Sequence, residues 1–271
     1  MLANLERAGL PGLPPEERAR LLHFVAVGAG PTGVRFAAEL YDLLGDLRRA
    51  YPHLAGEVRV TLLEAGATIL SAFDEYLREY TAGAFRRRGI AVRTGCAVAE
   101  VGPGCLCLAG GEVIPAGLVL WCTGFAPSPF VAAMPFEKDR GRLVTDDYLE
   151  VPGHPHVYAA GDCATPRGRN LPQLAQVAEQ QGKYLGHALN RRAKGLAVAP
   201  FTWRDLGINS YIGGSDAIAQ SGPGKGRIKG YLAYQLWRSA IFTQLVSLKN
   251  KVLVPLSRLQ AWLFGRDLSK F

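Results

Sequence analysis

The sequence predicts an α/β protein built around a parallel sheet that carries a dinucleotide-binding turn. The apolar run His23–Val27 ends in a three-glycine turn, residues 28–33, which leads directly into a helical pattern. A second apolar run, residues 58–63, ends in Glu64, as the next strand of a βαβ unit does. Continuous apolar runs are typical of parallel strands that helices cover on both faces.

Each glycine of the turn has its own expected role. Gly28 makes the tight turn, Gly30 lets the backbone approach a pyrophosphate, and Gly33 lets the helix pack closely on the strand. The amides and the positive dipole end of the helix then face the phosphate. The G-x-G-x-x-G pattern is a weak signal by itself, but the helix and strand that follow it strengthen the prediction.

Glu64 is the candidate ribose ligand. A carboxylate at this strand end accepts both ribose hydroxyls of NADH and repels a 2′-phosphate, so it favours NADH over NADPH. Glu64 lies 31 residues after Gly33 (64 − 33), against about 20 in the usual fingerprint. A loop at residues 51–57 accounts for the excess. The alternative is a carboxylate that is merely solvated at the strand end.

The composition indicates a globular protein with an anionic partner. The chain has 271 residues, 48% of them hydrophobic, and a net charge of +8. From Lys225 onward nine basic residues face only Asp267, so this tail alone carries +8 (9 − 1). The five cysteines lack CxxC or zinc-ligand spacing, so we expect ordinary thiols in a reducing compartment and no metal site. Neither a signal peptide nor a membrane-spanning helix is expected.

The remaining elements follow from periodicity and turn residues. We expect a linker with a short helix over 1–22, a helix over 74–88, a parallel strand at 90–92, a meander over 98–114, an apolar strand over 118–124, a strand over 156–163, a helix over 171–189, a hairpin over 201–220, and short helical segments over 231–264 that are interrupted at Pro255. Sheets of this kind bind ligands at the carboxyl ends of their strands.

Three polar residues follow these elements at informative positions. Asp162 comes at the expected end of the 156–163 strand, where it can accept a sugar or ribityl hydroxyl; the alternative is an Asp that caps the next helix. Gln176 and Gln180 lie one turn apart on a single helix face, which suits a carbonyl ligand such as a quinone. From the residues alone, two solvent-facing glutamines are the favoured alternative.

The basic tail also has two interpretations. Trp237, Trp262, Phe242, Leu245 and Leu248 alternate with basic residues, as in a helix that lies in a membrane interface and meets anionic headgroups. Alternatively the tail packs on its own protein or on a second subunit, which leaves a homodimer open. No nucleic-acid reader motif accompanies the charge, so we expect no nucleic-acid partner.

Three stretches together resemble one family. The segments Gly28-Ala29-Gly30-Pro31-Thr32-Gly33-Val34, Val157 to Asp162, and above all Ala175-Gln176-Val177-Ala178-Glu179-Gln180-Gln181-Gly182 are similar to the type II (alternative, rotenone-insensitive) NADH:quinone oxidoreductases. The ending, with Trp237-Arg238-Ser239-Ala240 and Phe264-Gly265-Arg266-Asp267, resembles the tail of the mitochondrial members, and we place the chain with their external type.

The resemblance implies a two-dinucleotide-binding flavoprotein fold with a C-terminal hairpin and amphipathic helices. An NADH-binding domain is expected over 23–124, the C-terminal part of an FAD domain over 125–200, and a membrane-associated module over 201–271. Hydride passes from NADH to FAD and electrons continue to ubiquinone without proton pumping, at the surface of the mitochondrial inner membrane. The implied cofactor-binding residues are Gly28, Gly30, Thr32, Gly33, Glu64, Thr123, Gly124, Gly161 and Asp162, and the implied quinone-site residues are Gln176 and Gln180.

The sequence departs from the family at two places. The family has an FAD-binding glycine motif well over a hundred residues before the NADH unit, whereas Met1 lies 27 residues before Gly28 (28 − 1), so we expect a truncated or partial chain. The other hypothesis for such a chain is a non-catalytic, NADH-binding, membrane-associated fragment. Second, Arg35 stands where the family has Glu, which disfavours the first turns of the helix electrostatically; contact with NADH phosphate is an alternative role.

Overall fold

The computed structural model describes residues 1–222, 225–243 and 247–265. Leu245, Arg266, Asp267 and Lys270, which the sequence analysis counts in the tail, lie outside this part, and so do the side chains of Phe242 and Trp262. The chain divides into two compact units. The first comprises Met1–Thr123 and Gly207–Phe271, and the second comprises Gly124–Leu206.

The first unit contains most of the regular structure. Its elements in chain order are α1 (Leu2–Ala8), α2 (Pro15–Leu21), β1 (His23–Val27), α3 (Pro31–Ala50), β2 (Arg59–Leu63), α4 (Glu75–Arg87), β3 (Ala91–Arg93), β4 (Val98–Gly102), β5 (Cys105–Leu108), β6 (Val113–Pro115) and β7 (Leu118–Trp121). The second unit contributes α5 (Pro129–Ala133), β8 (Lys138–Asp139), β9 (Arg142–Thr145), β10 (Ala164–Pro166) and α6 (Ala175–Ala193). The C-terminal part of the first unit adds β11 (Ile208–Gly213), β12 (Asp216–Ser221), β13 (Lys225–Gly230), α7 (Tyr231–Thr243) and α8 (Leu248–Phe264).

A four-stranded parallel sheet, in the order β3-β2-β1-β7, forms the centre of the first unit. All five residues of β1 are buried, as its apolar run predicts. Helix α3 buries Val34, Ala37 and Ala38 completely against the core. The predicted meander is also confirmed as the antiparallel sheet β4-β5-β6. The parallel sheet therefore brings the carboxyl ends of β1, β2 and β7 to one edge.

Residues 1–22 are more structured than a linker with one helix. They form α1 and α2, whose Leu5, Ala8 and Leu21 are buried in a cluster with Leu47 of α3. Asn4 also donates a hydrogen bond to the Gly117 carbonyl, 2.8 Å away. Burial of this apolar surface gives the segment a defined position beside the sheet.

The C-terminal strands form an antiparallel sheet, β11-β12-β13, which extends the predicted hairpin by one strand. This sheet packs on α3. Asp42 of α3 accepts hydrogen bonds from the Tyr211 hydroxyl at 2.5 Å and from the Gly214 amide at 3.0 Å. Burial, followed by the bond to Asp42, raises the pKa of Tyr211. A polar anchor thus joins the C-terminal sheet to the helix that follows the glycine turn.

The second unit departs from two of the predictions and contains one helix that was not predicted. The strand expected over 156–163 is wrong: His156 has a φ of 67°, Tyr158 makes one isolated bridge to Glu150, and residues 161–163 form a 3-10 turn. The left-handed backbone at His156 turns the chain before a ladder can form. The helix expected from 171 begins at Ala175 instead, because its N-cap residue, Leu174, has an extended backbone. Helix α5 over Pro129–Ala133, which Ser128 caps, was not predicted.

The interruption predicted at Pro255 is also wrong, because Pro255 lies inside α8. Proline loses one backbone hydrogen bond, but its fixed φ is helical, so a surface helix can continue through it. In the part of the chain that the structure describes, no helix is long and apolar enough to cross a membrane.

Candidate functional site

The glycine turn lies at the carboxyl edge of the parallel sheet. Gly28 has a φ of 96°, and its amide donates to the Leu63 carbonyl at 2.7 Å. A Cβ placed on Gly28 would lie 3.0 Å from the Thr123 Cβ and 3.1 Å from the Cys122 carbonyl oxygen. Both the left-handed backbone and the close approach of β7 therefore require glycine, as the sequence predicts.

The other two glycines, Gly33 and Gly30, differ in how much space a side chain would have. A Cβ on Gly33 would lie 1.9 Å from the Gly28 carbonyl oxygen, so α3 can meet the turn only through a glycine. A Cβ on Gly30 would have nothing within 4 Å. Among the described residues no side chain caps α3 at Gly30, so the amides of Thr32 and Gly33 in the first helical turn remain available to an anion.

Glu64 is held next to this turn by the backbone. One carboxylate oxygen accepts from the Ala29 amide at 2.7 Å, and the other accepts from the Gly66 amide at 2.8 Å. A carboxylate has about four acceptor positions, so two remain for ribose hydroxyls. The 31-residue separation from Gly33 therefore does not prevent Glu64 from reaching the turn. The sequence did not indicate that Glu64 also fastens the turn to the loop after β2.

Arg35 contacts an aromatic side chain of the C-terminal part. Its guanidinium lies over the Trp237 ring, 5.1 Å from the ring centroid. Trp237 is only 8% exposed and stacks on Tyr211 with centroids 5.1 Å apart. A cation–π contact thus links the second turn of α3 to α7. Because Trp237 is buried, it does not belong to a membrane-facing surface.

Thr123 and Gly124 follow β7 and end the first unit. The Thr123 Cβ is the neighbour that limits Gly28, so it lies against the glycine turn. Gly124 has a φ of 77°, which suits a glycine where the chain turns. Burial raises the pKa of the adjacent Cys122 thiol, so this cysteine is the less reactive neutral form at neutral pH.

In the second unit, Gly161 and Asp162 occupy the 3-10 turn. Gly161 has a φ of 78° and donates its amide to Gln181 Oε1 at 2.6 Å. The Asp162 carbonyl accepts from Gln173 Nε2 at 3.0 Å. Among the described residues no group binds the Asp162 carboxylate, and the residue is exposed. Its side chain is therefore free to accept hydroxyl donors while its backbone is fixed.

Gln176 and Gln180 share one face of α6, as predicted, and both contact the backbone of a following segment. The Gln176 side-chain oxygen accepts from the Leu206 amide at 3.0 Å. Gln180 accepts from the Arg204 amide at 3.0 Å and donates to the Arg204 carbonyl at 2.9 Å. These glutamines therefore hold residues 204–206 in this structure. An amide NH₂ has two donor hydrogens, and Gln180 directs one of them to the Arg204 carbonyl.

Gln181 is the polar residue that the sequence analysis missed. It is 1% exposed and lies in the buried stripe of α6 with Val177 and Ala188. Its amide reaches the Gly161–Asp162 turn, whereas Gln176 and Gln180 face residues 204–206. A glutamine four residues after Val177 on an apolar stripe was the signal that could have revealed it.

The residues present fit both expected dinucleotides. At the first unit, the open space at Gly30 and the uncapped amides of α3 suit a pyrophosphate, and Glu64 offers acceptors to a ribose. At the second unit, the free Asp162 carboxylate on a fixed turn suits the hydroxyls of a ribityl chain. The turn, the sheet and these acceptors define an α/β dinucleotide-binding protein.

The chain matches two family models. Residues 4–182 match the pyridine nucleotide-disulphide oxidoreductases, and residues 206–267 match the NDH2 C-terminal domain. Among solved structures, NDH2 from Plasmodium falciparum in complex with NADH superimposes with a TM-score of 0.91 over 99% of this chain and 71% of that one, at 20% identity, which shows the fold. This is a two-dinucleotide-binding flavoprotein fold.

Comparison with curated relatives shows which members of the family the chain is similar to. The chain is 40% identical to the internal alternative NAD(P)H-ubiquinone oxidoreductase A1 of Solanum tuberosum, covering all of this chain and 58% of the relative. It is 41% identical to a probable NADH dehydrogenase of Dictyostelium discoideum, covering 98% of this chain and 60% of the relative. External NADH-ubiquinone oxidoreductase 2 of Saccharomyces cerevisiae is 32% identical, with coverage of 99% and 56%.

The chain belongs to the pyridine nucleotide-disulphide oxidoreductase family. Its C-terminal match and its relatives are those of the type II, or alternative, NADH dehydrogenases. Internal and external enzymes both occur among its relatives, and the identity is higher to the internal ones. The chain spans less than two thirds of the length of these curated relatives.

Proposed function

We propose that this chain carries the NADH-binding, flavin-contacting and membrane-docking parts of an NADH:ubiquinone oxidoreductase. In the overall reaction, NADH, a proton and ubiquinone give NAD⁺ and ubiquinol, and no proton is pumped. The observation that carries the proposal is the turn at Gly30, where open space meets uncapped helix amides beside Glu64. The names of the relatives, which are NAD(P)H-ubiquinone oxidoreductases, support it.

NADH binding falls to the first unit. Gly28 would shape the turn, and the amides of Gly30, Thr32 and Gly33 would bind the pyrophosphate, since free amides and the helix dipole favour an anion there. Glu64 would accept the ribose hydroxyls, and the same negative charge would disfavour the 2′-phosphate of NADPH. Thr123 would line the turn from the β7 side, at 3.0 Å from the position of a Gly28 Cβ.

Flavin and quinone contacts fall to the second unit. FAD, when bound, accepts hydride from NADH and passes electrons on to the quinone, which the side chains of this chain cannot do alone. Asp162 and Gly161 would hold the ribityl chain, and Gly124 would allow the return of the backbone from the NADH domain. Gln176 and Gln180 would donate to a quinone carbonyl from the face of α6 that also holds residues 204–206.

Helix α8 supports docking at the mitochondrial inner membrane as a peripheral protein. Its exposed apolar residues recur along one face at helical spacing, and each is more than half exposed: Leu248, Val252, Leu256, Leu259 and Leu263. Lys249, Lys251 and Arg258 accompany this stripe, and basic residues beside an apolar face favour an anionic membrane surface. The alternative is that the same face of α8 contacts a second copy of the chain in a homodimer.

Reconstitution of the purified chain with FAD tests the proposal. We expect an FAD absorption spectrum after gel filtration and rotenone-insensitive reduction of a short-chain ubiquinone analogue by NADH. A chain that binds NADH and vesicles but neither retains FAD nor turns over would contradict the oxidoreductase proposal. That result would instead support the non-catalytic NADH-binding membrane fragment.

A further inference from the structure

The turn at residues 160–163 has a fixed backbone and a free side chain. Gln181 accepts from the Gly161 amide at 2.6 Å, Gln173 donates to the Asp162 carbonyl at 3.0 Å, and the Cys163 thiol donates to the Ala160 carbonyl at 3.3 Å. The Asp162 carboxylate, by contrast, has no partner in the described part of the chain. The direction of this carboxylate is therefore set by the bonds that hold its backbone.

Among the three residues whose side chains make these bonds, only Gln181 is buried. Gln181 is 1% exposed, whereas Gln173 and Cys163 are only partly buried. Burying an amide costs free energy unless it is hydrogen-bonded, and a Leu or Met would fill the same apolar stripe without that cost. A glutamine at this position is consistent with a specific requirement for its acceptor oxygen.

The partner of Gln181 needs such an acceptor. Gly161 is the first residue of the 3-10 turn, so its amide has no carbonyl partner within that turn. Its φ of 78° is left-handed, and a Cβ there would lie 3.6 Å from the Ala178 Cβ of α6, an ordinary contact. Without Gln181 the amide of Gly161 would be left unsatisfied against the helix, and the turn would lose its hydrogen bond to the buried face of α6.

We propose that Gln181 is a positioning residue for the flavin site: it fixes the Gly161 amide and thereby the direction in which the Asp162 carboxylate meets the ribityl hydroxyls. The inference rests on the proposed function for its ligand, but the fixed turn is a property of this chain alone. This role distinguishes Gln181 from Gln180, whose amide is hydrogen-bonded to the Arg204 backbone on another face of α6.

The test compares Gln181→Met, which keeps the length and removes the strong acceptor, with Gln181→Glu, which keeps an acceptor oxygen. Asn190→Leu, an exposed amide on the same helix, is the matched control. Amide hydrogen exchange of peptides covering residues 160–163 is measured without added flavin. We expect at least about tenfold faster exchange of the Gly161 amide in Gln181→Met, and wild-type exchange in the other two variants. Unchanged exchange in Gln181→Met would overturn the inference.

Flavin binding supplies the second measurement. We expect about tenfold weaker FAD binding and an altered visible circular dichroism of bound FAD in Gln181→Met, with recovery in Gln181→Glu. NADH binding reports that the first unit of each variant is folded, and wild-type hydrogen exchange of α6 reports the same for the second unit. Equal FAD affinity in Gln181→Met, together with faster exchange, would overturn the positioning role. A wild-type chain that binds no FAD would overturn the proposed function, while the exchange measurement still decides whether Gln181 holds the turn.

Discussion

Replacing Gly33 with alanine should separate the packing role of the glycine turn from its binding role. The new Cβ would lie 1.9 Å from the Gly28 carbonyl oxygen and 3.1 Å from its carbon. Real Cβ contacts stay above about 3 Å, so α3 or the turn must move by roughly 1 Å. Overpacking of this kind costs about 1–3 kcal/mol. Since a kcal/mol shifts Tm by about 2–4 °C in proteins near this size, we expect a loss of several degrees.

Two alanine variants in the same region provide the controls. The added Cβ of Gly30→Ala would have no atom within 4 Å, so the Tm of this variant should stay close to wild type. Its NADH affinity should fall, because the methyl group occupies the space for the pyrophosphate. Gly45→Ala, inside α3 and equally uncrowded, should stabilise the protein by about 0.5–1 kcal/mol, because glycine is unfavourable in a helix interior. Differential scanning calorimetry gives Tm, and quenching of protein fluorescence gives the NADH affinity.

A wild-type Tm for Gly33→Ala would refute the close helix-to-strand packing. Equal NADH affinity in Gly30→Ala and wild type would refute the placement of the pyrophosphate at this turn. A destabilised Gly45→Ala would show that the geometry of α3 is different from the one described, because nothing there opposes the added methyl group.

Three other residues or surfaces give separate predictions. Glu64→Gln should weaken NADH binding about tenfold, because one of the Ala29 and Gly66 amides would face an NH₂ group. It should also relax discrimination against NADPH, because the negative charge that repels the 2′-phosphate is lost; an unchanged cofactor preference in affinity measurements would contradict the ribose role. Burial lowers the pKa of His23, whose Nδ1–H donates to the Pro115 carbonyl while Nε2 accepts from Thr61. The unfolded state therefore binds more protons as pH falls below about 6.5, so urea denaturation should show stability lost from pH 7 to pH 5, and His23→Gln should flatten this dependence. Binding to anionic vesicles, followed by sedimentation, should fall steeply between about 0.05 and 0.5 M NaCl and weaken in a Lys249→Gln/Lys251→Gln variant; salt-insensitive binding would contradict electrostatic docking.

Several local features could be predicted because they depend on residues close in sequence. The apolar run of β1, the three glycines and the face of α3 formed by Val34 and Ala37 follow from periodicity and backbone freedom. Asp74, expected at the start of the next helix, is its N-cap and accepts from the Tyr76 amide. In these cases the local preference and the tertiary environment favour the same conformation.

Other features could not be predicted because their partners are distant in sequence. Residues 156–163 have the apolar composition of a strand, yet among the described residues they form one isolated β-bridge, between Glu150 and Tyr158. Gln176 and Gln180 share a face as predicted, but the sequence could not indicate that their side-chain oxygens accept hydrogen bonds from the Leu206 and Arg204 amides. The role of Gln181 likewise depends on an amide 20 positions away in the chain.

The sequence by itself determined the parallel strand, the glycine turn and the acidic residue after β2, because each is encoded by local pattern and by the conformations that glycine alone can adopt. Only the tertiary structure decided that Glu64 fastens the turn through Ala29, that Arg35 lies on Trp237, and that the C-terminal sheet is anchored to α3 through Asp42. These contacts join residues that are 35, 202 and 169 positions apart (64 − 29, 237 − 35, 211 − 42). Hydrophobic burial brings such residues together without leaving a periodic signal in the chain.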